Sequence, residues 1–124
     1  MEARVKIVNE SKADILISVH LNTYSDRSRR GAQVFFRSGD ENGKILSECI
    51  QKSLNEMEES VKKVSPLSGD YFILNETIVP SVICEYGFLS NSEDEKLLLT
   101  EEYQQKIAYS TYLGALSYFS GAVK

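Results

Sequence analysis

Two short aliphatic runs constrain the fold of this chain more than any other feature. They are ILISV at residues 15–19 and SVIC at residues 81–84. A strand that faces water on one side alternates apolar and polar residues, whereas a strand covered by helices on both faces is apolar throughout. We therefore expect both runs to be covered strands of a parallel or mixed sheet, and an α+β domain with an antiparallel sheet is the less favoured alternative.

The remaining pattern interleaves helices with strands. Strands are predicted at residues 15–19, 32–36, 71–74 and 81–86, and helices at 1–10, 44–61, 91 or 92 to about 99, and 101–119. Asp40 is suited to cap the second helix. Four apolar residues of the last helix lie at helical spacing and are expected in the core: Tyr103, Ile107, Tyr112 and Phe119. This order predicts an α/β fold, a layered parallel or mixed sheet with flanking helices.

Charge and composition exclude several classes of function. The 124 residues carry a net charge of −4, which disfavours nucleic-acid binding because that binding depends on neutralising phosphates. No signal peptide or membrane-spanning run is visible. Cys49 and Cys84 have neither zinc-finger spacing nor the number needed for a disulfide framework. Arg27, Arg29 and Arg30 are most simply a solvated loop, with contact to an anionic partner as the alternative.

Each aliphatic run is followed by a residue that can do chemistry. His20 comes directly after the first run and is the only histidine, and Glu85 comes directly after the second. Ligands of open α/β sheets bind at the carboxyl ends of strands, and a buried carboxylate with a raised pKa suits a general base. From position alone, packing or capping explains His20 more simply, and solvent or a cationic partner explains Glu85 more simply.

The residues around these two positions resemble a known family. SVHLN at residues 18–22 and PSVICEYGFLSN at residues 80–91 are similar to blocks of the N-acetylmuramoyl-L-alanine amidases of type 3. The similarity extends over nearly the whole chain and is greatest to the sporulation-type, cortex-related member. It implies hydrolysis of the amide between N-acetylmuramic acid and the L-alanine of the peptidoglycan stem peptide.

The resemblance also implies roles for individual residues. The family holds a zinc ion with two histidines and one glutamate, and His20 matches the second histidine while Glu85 matches the catalytic glutamate. Asn22 and Asn75 are candidate substrate contacts. Asn75 departs from the family, whose members often carry a longer polar or basic side chain there.

The family's other two zinc ligands lie in segments that this chain does not contain, a DPGHGG-like turn and an early helix. We therefore expect residues 1–124 to be a partial amidase domain, inactive alone, that lacks its N-terminal strand and zinc-ligand segments. The expected partners are peptidoglycan and an activating protein, and the expected location is extracytoplasmic. One alternative is a truncated, non-catalytic domain that binds peptidoglycan or a partner protein. Another is an unrelated α/β hydrolase that uses Glu85 without metal.

Overall fold

The computed structural model describes residues 1–57 and 61–121. Its helices are α1 (Glu2–Glu10), α2 (Glu41–Asn55), α3 (Phe72–Glu76), α4 (Ser92–Leu98) and α5 (Glu101–Ser120). Its strands are β1 (Leu16–Asn22), β2 (Gln33–Phe36), β3 (Leu67–Ser68) and β4 (Ser81–Phe88). The layered arrangement of helices on a mixed sheet confirms the predicted α/β class.

The sheet has the strand order β1-β4-β2-β3. β4 pairs in parallel with β1 and antiparallel with β2, and β2 pairs in parallel with β3. Every residue of β4 is buried except Glu85, which is half-buried. The aliphatic run of residues 81–84 therefore forms the covered strand that its composition predicts.

The two faces of the sheet carry separate cores. On one face, Cys84 and Tyr86 pack with residues of α2 and α5, among them Ile50 and Ile107. On the other face, Ile83 packs with residues of α1 and α3. Successive side chains of a strand point to opposite faces, so β4 contributes to both cores.

The prediction that the run of residues 15–19 is covered on both faces holds for its first half only. Ile15 and Ile17 pack against one core and Leu16 packs against the other. β1 pairs only with β4 among the described residues. Val19 is 65% exposed and Leu21 is 47% exposed. Within residues 1–57 and 61–121, β1 is therefore an edge strand, and its apolar side chains become exposed toward its C-terminal end.

The prediction of a strand at residues 71–74 is wrong, because the helix α3 forms there. Leu74 and Asn75 donate backbone hydrogen bonds to the carbonyl of Tyr71, at 3.0 and 2.9 Å. Ile73 and Leu74 are both buried. A short apolar run does not distinguish a strand from a buried helical turn. The strand that pairs with β2 lies earlier, at β3, in a segment predicted to be a loop.

Both ends of α2 differ from the predicted helix, whereas α5 agrees with its prediction to within one residue. α2 begins at Glu41 and is capped by Asp40, whose carboxylate accepts a hydrogen bond from the Gly43 amide. It ends at Asn55 rather than 61, and residues 58–60 lie outside the described part. α5 ends at Ser120, one residue past the predicted end, and is capped by Gly121, which adopts a left-handed conformation with φ 72° that glycine favours.

The core assignments on α5 hold for only half of the predicted set. Tyr103 and Ile107 are buried, but Tyr112 is 58% exposed and Phe119 is 59% exposed. The spacing between Ile107 and Tyr112 is five residues, which rotates Tyr112 off the buried stripe.

Candidate active site

His20 and Glu85 lie side by side on neighbouring strands. They are direct register partners in the parallel pair of β1 and β4. Leu16 and Ile83, which precede them by even numbers of residues, pack in the same core cluster. Because side chains alternate along a strand, His20 and Glu85 project from that same face. The sequence had suggested that His20 and Glu85 lie at the ends of their strands. Both strands are longer, because β1 continues to Asn22 and β4 continues to Phe88.

Glu85 has the environment of a proton acceptor. Partial burial raises the pKa of its carboxyl above the ordinary value, and the neighbouring His20 opposes that rise. No side chain within residues 1–57 and 61–121 forms a hydrogen bond or ion pair with this carboxylate, so it is available to a water molecule or substrate. A carboxylate with a raised pKa and no partner suits a general base that works near neutral pH.

His20 is oriented by a residue that the sequence analysis did not single out. The hydroxyl of Ser18 lies 2.8 Å from Nε2 of His20. The two residues are two apart on one strand, so their side chains lie on the same face. The contact orients the imidazole and leaves Nδ1 for a further partner. The available signal was Ser18 itself, the one polar residue of the first aliphatic run.

A groove with a mixed polar and apolar lining lies one strand away from Glu85 and contains Asn22. Its volume is about 480 Å³. Gln33, one of its lining residues, is the antiparallel register partner of Glu85. Asn22 and Phe88 line the groove and are register partners across β1 and β4. The structure therefore brings three of the four predicted site residues together: His20, Asn22 and Glu85.

The fourth predicted residue, Asn75, lies elsewhere. It is on α3, where its side-chain amide donates a 2.7 Å hydrogen bond to the carboxylate of Asp70. It lines a different groove with Arg37 and Ser68, near the end of β2 that is remote from Gln33. A substrate contact by Asn75 stays a prediction, and it would involve a part of the substrate away from Glu85.

Tyr71 is a second residue near the site that the sequence analysis missed. Burial raises the pKa of its hydroxyl, and the negative charge of Glu85 adds to that rise. Its ring packs edge-on against Phe35, with centroids 5.5 Å apart. Tyr71 was hidden from sequence reasoning because it lay in a segment interpreted as a strand.

Arg30 is not the solvated residue that the loop composition suggested. Its guanidinium contacts the carboxylate of Glu93 and donates a 3.0 Å hydrogen bond to Asp94. Asp94 is 3% exposed and also accepts hydrogen bonds from the amides of Gly31 and Phe88. This network fixes the loop after β1 to the start of α4.

The described residues do not by themselves form a catalytic zinc site. Such a site normally has three protein ligands. Within residues 1–57 and 61–121, no three His, Cys, Asp or Glu side chains are grouped to hold a metal. Cys84 points to the face opposite Glu85, and Cys49 is buried. His20 and Glu85 offer two donor groups in one place, so the arrangement fits part of a metal centre only.

The described helices include none with the length and apolar character required to cross a bilayer.

The whole chain is similar to proteins of one family. The family model described as N-acetylmuramoyl-L-alanine amidase matches residues 1–117. The germination-specific N-acetylmuramoyl-L-alanine amidase of Bacillus subtilis (strain 168) is 36% identical over 121 residues, which are 97% of this chain and 51% of that protein. N-acetylmuramoyl-L-alanine amidase AmiA of Escherichia coli (strain K12) is 27% identical over 94% of this chain and 55% of its own length.

Solved structures show the same fold. The CwlD amidase of Clostridioides difficile, in complex with the GerS lipoprotein, superposes with a TM-score of 0.92 at 36% identity and covers 96% of this chain and 61% of its own. An N-acetylmuramoyl-L-alanine amidase of Clostridium difficile 630 gives 0.89 at 26% identity, over 97% of this chain and 65% of its own. This chain thus spans about half to two thirds of the length of these relatives.

Proposed function

The chain belongs to the N-acetylmuramoyl-L-alanine amidase family, and from that premise we propose that it takes part in hydrolysing an amide bond of peptidoglycan. The bond lies between the lactyl group of N-acetylmuramic acid and the L-alanine of the stem peptide. The observation that carries the proposal is the pairing of His20 with Glu85, a half-buried carboxylate with a raised pKa and no partner among the described residues.

Glu85 is the proposed general base and general acid. It accepts a proton from the water whose oxygen bonds to the scissile carbonyl carbon, and it then delivers that proton to the leaving alanine nitrogen. The carbon–nitrogen bond breaks, leaving a carboxylate on the lactyl group and an amine on the stem peptide. Asn22, in the adjoining groove, is proposed to contact the substrate.

Zinc is the proposed cofactor, with His20 as one ligand. Ser18 orients the imidazole of His20 for that role. When bound, such an ion supplies a water of lowered pKa and polarises a carbonyl. The described residues offer fewer than three ligands, so a further histidine and glutamate from outside these 124 residues complete the proposed site. Residues 1–124 are accordingly proposed to be part of an amidase domain.

The proposed location is outside the cytoplasmic membrane, where peptidoglycan lies. The CwlD amidase of Clostridioides difficile forms a complex with the GerS lipoprotein, which supports a protein partner for this chain as well. The incomplete ligand set favours a second candidate function, a non-catalytic amidase-like domain that binds peptidoglycan or a partner.

Hydrolysis of purified peptidoglycan tests the proposal. We would assay the chain alone, and the chain joined to the unmatched part of the Bacillus subtilis germination-specific amidase, for new N-terminal alanine in the presence of zinc. The joined protein should cleave and the chain alone should not. Glu85→Gln in the joined protein should lower kcat by a factor of about 10²–10⁴ because the proton relay is removed.

Two further variants test whether a change in cleavage is specific to the site. Glu95→Gln alters an exposed carboxylate of α4 and should leave kcat unchanged. His20→Ala should reduce both the zinc content, measured by atomic emission, and the cleavage. Activity that persists in Glu85→Gln would overturn the assignment of the base, and peptidoglycan binding without cleavage by the joined protein would favour the non-catalytic candidate.

A further inference from the structure

We propose that the groove beside Glu85 is a subsite for a free carboxylate of the stem peptide, and that Arg29 is the side chain that binds it. This inference rests on the proposed function, since it names the part of the substrate that the groove would hold. Sequence reasoning left Arg29 as a solvated loop residue. Its surroundings in the folded chain indicate a binding role.

The groove lies one strand away from Glu85, although Glu85 itself does not line it. Gln33, a lining residue, pairs directly with Glu85 across β2 and β4. Directly paired residues of antiparallel strands have Cα atoms about 4.5–5.5 Å apart. A substrate whose scissile amide is next to Glu85 can therefore reach this groove within one or two residues of the cut.

The charge of the groove is opposite to that of the whole chain. The chain has a net charge of −4, yet the groove lining contains Arg29, Arg30 and Lys62 and no described acidic residue. Asn22 and Gln33 add neutral hydrogen-bonding groups to the lining. Low-dielectric walls with one sign of charge concentrate ligands of the opposite sign, so this groove favours an anionic ligand.

Lys62 and Arg29 are the two cations of this groove that form no salt bridge in the described part of the chain. The negative charge of Asp26 acts on Arg29, since hydrogen bonds from Ser28 and, to a lesser degree, the charge of Arg29 lower the pKa of Asp26. Arg29 also contacts two aromatic rings. Its guanidinium lies 5.1 Å from the ring centre of Tyr24 and 5.6 Å from that of Phe88. The salt bridges of the described residues belong to Arg30 instead. Asp26, on the same loop, accepts hydrogen bonds from the amide and hydroxyl of Ser28, at 3.0 and 2.6 Å.

The two rings pre-order the guanidinium of Arg29. Cation–π contact with two rings restricts a side chain that is otherwise flexible, and Arg29 stays exposed to a ligand. A carboxylate can accept two parallel hydrogen bonds from the edge of a guanidinium. The side chain of Arg29 should therefore lose little conformational entropy when it binds a planar anion.

The loop that carries Arg29 is itself held in place. The amide of Tyr24 donates to the hydroxyl of Ser90 at 2.9 Å, and the side-chain amide of Asn91 donates to the carbonyl of Arg27 at 2.9 Å. These contacts join the loop to the segment between β4 and α4. They flank Arg29 on its N-terminal side, and the Arg30–Asp94 pair flanks it on the other.

The chemistry of the stem peptide supplies a ligand of the required kind. Its second residue is a glutamate linked through the side-chain carboxyl, so the α-carboxylate stays free one residue from the scissile amide. Amidation of that carboxylate removes the charge and leaves the size almost unchanged. The pair of acid and amide is thus a direct probe of a carboxylate subsite.

The test is an NMR titration of the full 124-residue chain with L-alanyl-γ-D-glutamate and with its α-amide. Unaltered protein should bind the acid about tenfold more tightly than the amide, the size of a charge-assisted hydrogen bond. Arg29→Ala should remove this preference, and Arg29→Lys should retain part of it. Arg27→Ala is the matched control, because it removes an exposed arginine of the same loop that does not line the groove.

The outcomes separate this inference from the proposed function. Equal affinity for the acid and the amide, or equal behaviour of the Arg29→Ala and Arg27→Ala variants, overturns the subsite. In the joined amidase, Arg29→Ala should raise KM about tenfold and leave kcat within about twofold. Cleavage with an unaltered KM in Arg29→Ala rejects the subsite alone. Carboxylate-dependent binding by a protein that never cleaves supports the subsite and rejects the amidase function.

Discussion

At the scale of single residues, the side chain of Asp94 holds together several segments near the site. Its carboxylate is almost completely buried, and it accepts hydrogen bonds from Arg30, Gly31 and Phe88 at 2.8–3.0 Å. These donors belong to the loop after β1 and to the end of β4. A buried carboxylate is tolerated only when it is paired and hydrogen-bonded, and this one connects the loop that carries Arg29 to the strand that carries Glu85.

Asp94→Asn should therefore destabilise the chain by ~2–4 kcal/mol, because the amide removes the buried anionic partner of Arg30 and has one acceptor oxygen for several donors. Urea unfolding followed by circular dichroism measures the change. Glu93→Gln is the control, since the Glu93 side chain is 70% exposed and exposed ion pairs contribute little. Equal losses of stability in the two variants would show that burial of Asp94 has no special role.

At the same scale, the proposed catalytic residues illustrate the limit of reasoning from position. His20 and Glu85 each had a simpler interpretation when taken alone, and the family blocks around them supported a site. Their pairing, and the contact of Ser18 with His20, depend on how β1 and β4 align. Strand register between segments so distant in the chain cannot be read from either segment.

At the scale of elements, α2 and α5 pack so closely that a glycine is required between them. A Cβ atom added at Gly114 of α5 would lie 2.6 Å from the Cα of Ile50 on α2. No real Cβ atom approaches backbone so closely, so the glycine is required by the distance between the two helices. These helices form one face of the core together with Val82 and Cys84.

Gly114→Ala should lower the free energy of unfolding by ~1–3 kcal/mol through overpacking. The direction is diagnostic, because alanine is intrinsically the better helix former by about 1 kcal/mol. Thermal and urea unfolding would measure the effect. Lys106→Ala, at an exposed site of α5, should change stability by less than about 0.5 kcal/mol. A stabilised Gly114→Ala variant would mean that the helices are farther apart than the structure has them.

Elements also differ in how well sequence predicted them. α4 and α5 have clear local signals, with Asn91 and Thr100 as caps and Gly121 as the stop. α3 and β3 have none, because a five-residue helix and a two-residue strand are too short to show a period. What decided them is packing: Ile73 and Leu74 are buried against the sheet, which a helical turn allows.

At the scale of the whole molecule, apolar side chains remain exposed along β1 and on α5. Val19 and Leu21 lie on the edge strand, and α5 exposes a further set at helical spacing: Tyr109, Tyr112, Leu113, Leu116 and Phe119. An open strand edge and a large apolar surface both promote association between chains. The chain of 124 residues should therefore associate with itself in solution.

Val19→Lys should reduce that association, because a charge on an edge strand opposes pairing with another chain. Sedimentation velocity over a range of concentrations measures it, with the unaltered chain shifting to larger species as concentration rises. Ile78→Lys is the matched control, since Ile78 is 77% exposed but lies outside the sheet. If both variants associate as the unaltered chain does, the edge of β1 is not the contact.

What the sequence determined by itself is the local part of this molecule. The covered strand β4, the cap of α2 by Asp40 and the α/β class follow from composition, periodicity and capping hydrogen bonds, which act over a few residues. The family blocks identified His20 and Glu85 as candidates. Periodicity did not reveal that β1 is an edge strand, because burial depends on what packs against a strand and not on the strand alone.

The tertiary structure alone decided which of the candidate residues meet. His20 pairs with Glu85, and Asn75 lines another groove. Asp94 is buried and paired with Arg30, and the guanidinium of Arg29 lies over the ring of Phe88. Each of these contacts joins segments that are far apart in the chain. Such contacts form only when strand register and helix packing bring the segments together, so no local pattern encodes them.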